Sequence, residues 1–174
     1  MRKTIIAAAI ALAILGCKEM GAEEPAQFSF IVYPGARYLG PLTDLIKRAH
    51  RVIKPNEEAP PTQAFDTDAP VEDVANFYAK SYGYGTVAPD ATNNLSSAKP
   101  PAYWRTGDLA TDNKPIEPLL QKMHVAADVS KAVGTYKAAE IDARPNRPRV
   151  TVQRPYFDTT SSQVVDRTLI LMSK

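Results

Sequence analysis

The stretch QAFDTDAPVEDVANFYAKSY, residues 63–82, passes from a strand pattern directly into a helix pattern. Its first five residues suit a short strand. Beyond Pro70 the apolar residues recur at intervals of three and four, which predicts a helix running to about Tyr82. The predicted buried stripe of this helix consists of Val71, Val74, Phe77, Tyr78 and Tyr82. A strand that leads into an amphipathic helix indicates a fold that mixes both kinds of element.

The junction between this strand and helix holds the densest group of acidic residues in the chain. Asp68 is positioned to cap the free N–H groups of the helix, and Pro70 suits the first turn, where a missing N–H costs nothing. Glu72 and Asp73 favour the positive end of the helix dipole. Together with Asp66 these carboxylates could instead hold a divalent cation, but they lack the pattern of a calcium loop. We therefore expect no metal site here.

The remaining periodic segments predict a single domain of the α+β class. Helices are expected at residues 41–54 and 115–123, and strands at residues 28–33, 63–67, 102–106, 135–141, 149–154 and 164–172. The last two strands are expected to form an antiparallel hairpin around a polar loop at residues 156–163. We predict an antiparallel sheet of four to six strands with two or three helices packed on one face.

The first seventeen residues have the organisation of an export signal. Arg2 and Lys3 precede an unbroken run of Ala, Ile and Leu at residues 5–15, and Gly16 and Cys17 follow. A bilayer span needs about 20 apolar residues, and this run is much shorter. A short apolar core behind a positive start is typical of a secretory signal.

Residues 14–17, Ile-Leu-Gly-Cys, resemble the lipobox of bacterial lipoproteins. The resemblance implies that Cys17 receives a diacylglyceryl group, that the signal is cut between Gly16 and Cys17, and that the new amino group is acylated. The alternatives are an uncleaved anchor or an ordinary signal cut, for which Met20 occupies a position that requires a small residue. Lipidation would also remove the lone thiol of an exported protein, since Cys17 is the only cysteine.

The residue after the lipobox cysteine bears on the membrane that holds the protein. In lipoproteins of the enterobacterial kind, Asp at this position is associated with retention in the inner membrane, so Lys18 implies passage to the outer membrane. We predict a signal peptide at residues 1–16, a lipidated tether at residues 17–27 and one periplasm-facing domain at residues 28–174.

The charge balance argues against nucleic acid as a partner. Loss of Arg2 and Lys3 with the signal lowers the number of Lys and Arg residues from 21 to 19, which equals the number of Asp and Glu residues. A formally neutral mature chain lacks the basic surplus of nucleic-acid-binding domains. No pattern indicates a cofactor or a catalytic nucleophile. His50 and His124 have no partner at metal-ligand spacing, and His50 is expected at the surface.

A second resemblance covers residues 28–84. The motifs that carry it are Tyr33-Pro34-Gly35-Ala36, Phe65-Asp66-Thr67-Asp68 and Val74-x-x-Phe77-Tyr78. They are similar to motifs of small bacterial envelope domains in which a YPGA turn precedes a strand-to-helix junction. The resemblance implies an envelope location and brings no established activity with it.

Four residues are candidates for binding a partner. Trp104 lies in a predicted strand beside Arg105, where an exposed aromatic ring could stack on a sugar or a peptide; burial in the core is the alternative. Arg144, Arg147 and Arg149 cluster in a proline-rich turn. They could meet lipid A phosphates or another acidic partner, because arginine forks match phosphate, and a solvated loop rim is the alternative.

These patterns indicate a membrane-anchored protein without catalytic function. We expect its domain to bind another envelope protein, a cell-wall component or a lipid. The alternative is a hydrolase or a small-ligand carrier with a site built from dispersed residues, for which a deep pocket with convergent ionisable groups would be the sign. A purely structural envelope protein would have neither such a pocket nor a binding patch.

Overall fold

The structure, a computed structural model, describes residues 30–89 and 100–174. The signal, Gly16, Cys17 and the tether therefore lie outside the described residues. In chain order the elements are β1 (Arg37–Tyr38), α1 (Gly40–Ile53), β2 (Thr62–Thr67), α2 (Val71–Ser81), β3 (Ala102–Asp108), α3 (Leu109–Asn113), α4 (Glu117–Lys122), β4 (Thr135–Ile141), β5 (Arg149–Arg154), β6 (Tyr156–Asp158), β7 (Gln163–Val165) and β8 (Thr168–Ser173). Within the described ranges, no helix combines the length and the apolar character that a bilayer crossing requires.

Six strands of the described residues form one antiparallel sheet in the order β1-β2-β8-β5-β4-β3, and β6 pairs with β7 in a small second sheet. The predicted α+β class and antiparallel sheet are confirmed. Strands β8 and β5 occupy the centre, and every residue of β8 is buried. A central strand that is covered on both faces needs no polar side, which explains its nearly continuous apolar sequence.

The helices lie on both faces of the sheet, which differs from the predicted single face. On one face, α2 packs through Val74 against Ile170 and Met172 of β8. On the other face, α1 packs against Leu169 and Leu171 of the same strand. Alternate side chains of a strand point to opposite faces, so this apolar run presents a core surface to each helix.

The domain begins with a turn and not with the strand that we predicted at residues 28–33. Residues 30–33 form no strand, and residues 28 and 29 lie outside the described ranges. The N–H of Ala36 donates to the carbonyl of Tyr33 at 3.0 Å, and Gly35 takes the left-handed φ of +75° that such a turn requires. The ring of Tyr33 packs edge-on against Phe77 of α2, with 5.2 Å between centroids. These aromatic residues therefore cover a helix and do not extend the sheet.

The predicted hairpin of the last two strands is interrupted. Strands β5 and β8 do pair antiparallel, but β6 and β7 lie between them in sequence. The prediction of a polar loop at residues 156–163 was wrong at its start, because Tyr156 and Phe157 are buried. Tyr156 joins the core on the α1 face, and Phe157 packs with Leu109 of α3. Two aromatic residues in a polar segment carry too little periodicity to reveal this burial.

Helix α2 begins at Val71 without a side-chain cap, which corrects the predicted role of Asp68. The Asp68 carboxylate pairs with Arg167 instead. Pro70, which has no side-chain acceptor, occupies the N-cap position, and Asp68 stands two residues before it. The loop before the helix is held through its backbone, because Thr168 Oγ1 donates to the carbonyl of Ala69 at 2.6 Å.

His50 is buried in α1, which contradicts its predicted surface position. It stands at position i+8 from Leu42, and this spacing returns to the same side of a helix. His50 therefore shares the apolar stripe that faces the sheet. Both of its ring nitrogens are buried without a hydrogen-bond partner in the described part of the chain.

Candidate functional site

The part of the chain that the structure describes contains two buried ionic clusters. The first is centred on Asp66 of β2, which is fully buried. Arg37 donates from Nε to Oδ1 at 3.1 Å and from Nη2 to Oδ2 at 2.8 Å. Oδ2 also accepts from Arg167 Nε at 3.0 Å and from the Tyr156 hydroxyl at 3.1 Å. The carboxylate of Asp66 therefore connects β2 to β1, to β6 and to Arg167, the residue that precedes β8.

The pKa of Asp66 lies below its usual value. Burial alone would raise this pKa, but hydrogen bonds from Arg37 and Arg167 and the charge of Arg167 outweigh the burial. Asp66 is therefore an anion at neutral pH, and its oxygens are already engaged. A carboxylate in this state stabilises the fold and is not poised to accept a proton from a substrate.

The second buried cluster joins β3 to β4. Arg105 Nε donates to Glu140 Oε1 at 3.0 Å, and Thr151 Oγ1 donates to Glu140 Oε2 at 2.8 Å. Arg105 also donates to the Tyr136 hydroxyl, which donates to Asp112. Burial alone would lower the pKa of Arg105, but the charge of Glu140 more than compensates and holds this pKa above its usual value.

A small cavity lies beside this second cluster. It measures about 30 Å³ and is bounded by Asp112, Tyr136 and Gln153 on its polar side and by Leu42 and Leu169 on its apolar side. About one water molecule fits in such a space, whereas ligand pockets measure about 300–1,000 Å³. The cavity therefore gives no support to the alternative of a ligand carrier or a hydrolase at this place.

Trp104, the predicted aromatic contact, lies half-buried against the α2 core. Lys137 Nζ is 4.3 Å from the centroid of the Trp104 ring and donates to Glu72 at 2.7 Å. One face of the ring is therefore occupied by a cation of the same chain. Trp104 makes these contacts separately from the predicted arginines.

The structure brings together two of the three predicted arginines. Arg144 and Arg147 close a tight turn between β4 and β5, because the N–H of each donates to the carbonyl of the other, at 3.1 and 3.0 Å. Residues paired in this way carry their Cβ atoms about 4.5–5.5 Å apart on the same side. Arg149 lies apart from them, with its Nη2 at 3.6 Å from Asp142 Oδ1.

Two tyrosines hold Arg144 in place. Its guanidinium carbon lies 4.3 Å from the centroid of the Tyr84 ring, and its Nε donates to the carbonyl of Tyr82 at 3.2 Å. Tyr84 is itself anchored, since its hydroxyl donates to the carbonyl of Asp142 at 3.1 Å. Within the described ranges, the two terminal nitrogens of Arg144 have no hydrogen-bond partner. We name Arg144, Arg147, Tyr82 and Tyr84 the arginine corner.

Tyr82 adds a buried hydroxyl to the arginine corner. Its side chain is 5% exposed, and the hydroxyl has no hydrogen-bond partner among residues 30–89 and 100–174. Burial raises the pKa of Tyr82, and the positive charge of Arg147 opposes this rise. The guanidinium of Arg147 thus acts electrostatically on the hydroxyl of Tyr82, while Arg144 binds the backbone carbonyl of the same residue.

Sequence reasoning missed the part that the two tyrosines play. Tyr82 was predicted only as a member of the buried stripe of α2, and it is indeed buried. Tyr84 stands between Gly83 and Gly85, which end the helix with left-handed φ values of +76° and +77°. The role of Tyr84 could have been predicted from its position between two glycines. The chain must turn at such glycines, and the turn directs the tyrosine ring away from the helix.

Three of the four acidic residues around the start of α2 are engaged by cations of the chain. Asp66 and Asp68 bind arginines, and Glu72 binds Lys137. In the described ranges, no group of three or more His, Cys, Asp or Glu side chains is arranged to hold a metal ion. In comparisons with known proteins, no family model matches the chain, and no curated protein or solved structure matches it significantly.

Proposed function

We propose that this chain is a bacterial envelope lipoprotein, held by a lipid on Cys17, whose domain binds an envelope partner through the arginine corner and performs no catalysis. The observation that carries the proposal is a contrast between charged groups. Asp66 and Glu140 are buried and have their oxygens engaged by other side chains. Arg144 is exposed, fixed in position and open at its terminal nitrogens.

The fixed position of Arg144 favours binding. A free arginine loses conformational entropy when a partner immobilises it, and this cost weakens the complex. Stacking on Tyr84 and the hydrogen bond to Tyr82 restrict Arg144 before any partner arrives. Tyrosine and arginine are also the residues that most often carry the binding energy of protein interfaces. The arginine corner therefore combines the residue types and the preorganisation of a recognition site.

The lipid anchor is tested by Cys17→Ser in a bacterial host. We expect the variant to accumulate as full-length precursor without labelled palmitate, because serine offers no thiolate to form the thioether. Palmitate labelling and mass spectrometry of the amino terminus measure both effects. Glu19→Gln, two residues beyond the cysteine, is expected to be labelled and cut like the wild type. If Cys17→Ser is labelled with palmitate and cut in the same way as the wild type, the lipoprotein assignment is wrong.

The binding role is tested by photo-crosslinking in intact cells. A photoreactive residue at Asn146, exposed at the tip of the turn, is expected to give a discrete crosslinked product. The same residue at Gln121, exposed on α4, is expected to give none. Mass spectrometry of the product identifies the partner, and Arg147→Gln is expected to reduce its yield. Absence of a product from position 146, or equal products from both positions, would contradict the proposal.

A further inference from the structure

The arginine corner concentrates positive charge for which residues 30–89 and 100–174 provide no counterion. Arg144 and Arg147 stand opposite each other across the turn, and like charges in this arrangement are destabilising. The nearby carboxylate of Asp142 lies beside Arg149, at 3.6 Å. Within the described part of the chain, no carboxylate forms an ion pair with Arg144 or Arg147. An anion bound between the two guanidinium groups would relieve this repulsion.

We infer that Arg144 and Arg147 bind a phosphate group, an inference that rests on the proposed function and names the chemistry of its partner. A phosphate carries at least two free oxygens in a tetrahedral arrangement, so two guanidinium groups can bind it from different directions. A carboxylate is planar, and a single arginine fork engages both of its oxygens. The Tyr82 carbonyl accepts from Nε of Arg144, so the edge formed by the two terminal nitrogens remains available for such a fork.

The buried hydroxyl of Tyr82 is an independent sign of a missing partner. A buried hydroxyl without a hydrogen bond is uncommon in a native fold and calls for an explanation such as a bound ion or water. This hydroxyl lies in the field of Arg147 and on the residue whose carbonyl binds Arg144. The hydroxyl is therefore a polar group of the arginine corner that the described residues leave unsatisfied.

The phosphate has two sources, a lipid headgroup and a free phosphate ion. A chain tethered through Cys17 meets headgroups at a high effective concentration, so even a weak site would be occupied at the membrane. A soluble phosphate would need a tighter site to reach the same occupancy. The recognition chemistry is shared, and the experiment separates the sources.

The test uses the mature lipidated protein in zwitterionic detergent micelles and follows the arginine Nε–Hε resonances by NMR. One series adds inorganic phosphate, a second adds phosphatidic acid to the micelles, and a third adds acetate, all at constant ionic strength. We expect saturable shifts of Arg144 and Arg147 with phosphate or phosphatidic acid, and weak or no shifts with acetate. Arg147→Gln is expected to weaken phosphate binding about tenfold or more, because it removes charge-assisted hydrogen bonds.

Arg149→Gln is the matched control, since it removes the same charge two residues beyond Arg147, at the start of β5, from a side chain that lies beside Asp142. It is expected to bind phosphate like the wild type. Arg144→Lys keeps the charge and loses the fork, and it is expected to bind more weakly. Circular dichroism of each variant checks that the fold is retained. A response to inorganic phosphate alone assigns the free ion, and a response to phosphatidic acid alone assigns the headgroup.

The inference is overturned by the absence of a shift in both phosphate series, by equal binding of acetate, or by equal weakening in Arg147→Gln and Arg149→Gln. The outcome is distinguishable from that of the proposed function. Phosphate binding without a crosslinked product at position 146 would contradict the proposed binding of an envelope partner and would support the phosphate site. A crosslinked partner without phosphate binding would remove this inference alone.

Discussion

Replacement of Glu140 by alanine is expected to lower the free energy of unfolding by about 3 kcal/mol, because the buried Arg105 loses its closest counterion and keeps Asp112, whose Oδ2 lies 3.6 Å from Arg105 Nη1. Glu140 is 3% exposed and Arg105 is 9% exposed, so water cannot replace the lost carboxylate. Thr151 loses its hydrogen-bond acceptor in the same variant. Urea unfolding of the purified protein, followed by circular dichroism, measures the change.

Two variants test whether the decrease in the free energy of unfolding of Glu140→Ala comes from the buried charge. Glu72→Ala removes an ion pair of similar length, 2.7 Å, whose side chains are 43% and 49% exposed, and it is expected to cost about 1 kcal/mol or less. The double replacement Arg105→Met and Glu140→Leu removes both charges and is expected to destabilise less than Glu140→Ala. If Glu140→Ala and Glu72→Ala cost the same, the buried pair does not stabilise the fold as argued.

Asp66→Asn is expected to lower the free energy of unfolding by about 3 kcal/mol, at the lower end of the range for a broken buried ion pair. The amide group removes the negative charge between Arg37 and Arg167 and presents N–H donors to side chains that themselves donate. Both arginines reach solvent, with side chains 65% and 26% exposed, so water recovers part of the loss. Urea unfolding at neutral pH measures the change.

The pH dependence of the free energy of unfolding distinguishes the contribution of the Asp66 charge from that of its side-chain shape. The pKa of Asp66 is lower in the folded state than in the unfolded chain, where it is about 3.9. Its contribution is therefore fully present above that value and is lost as the pH falls through the folded pKa. The difference in stability between the wild type and Asp66→Asn is expected to narrow below about pH 4.

Asp68→Asn provides the comparison for Asp66, because it removes a carboxylate that also binds Arg167 but is 83% exposed. An exposed pair contributes about 0–1 kcal/mol, so this variant should remain close to the wild type in stability. Equal destabilisation by the two changes, or a difference between Asp66→Asn and wild type that stays constant through the acid range, would show that the burial of Asp66 is not what matters.

The positions of strands and helices along the chain could be predicted from the sequence where the hydrophobic periodicity was strong. The strand predicted at residues 149–154 occurs as β5, and the helix predicted at residues 41–54 occurs as α1. The strand predicted at residues 135–141, whose pattern is weaker, also occurs, as β4. Buried segments of only two or three residues show too little periodicity for their burial to be predicted from the sequence. Tyr156 and Phe157 are buried because they meet cores that distant segments build, and nothing in their own neighbourhood indicates this.

The sequence by itself determined the class of the fold, the lipobox prediction at Cys17 and the choice of arginines, because charge, apolar length and spacing act along the chain. Only the tertiary structure decided which charges remain available. It buried Asp66 and Glu140 against arginine counterions, set Arg149 beside Asp142, and left Arg144 and Arg147 paired in a turn, with Arg144 held by two tyrosines. Ion pairing depends on distances between residues far apart in sequence, and these distances are set only once the sheet and its helices have packed.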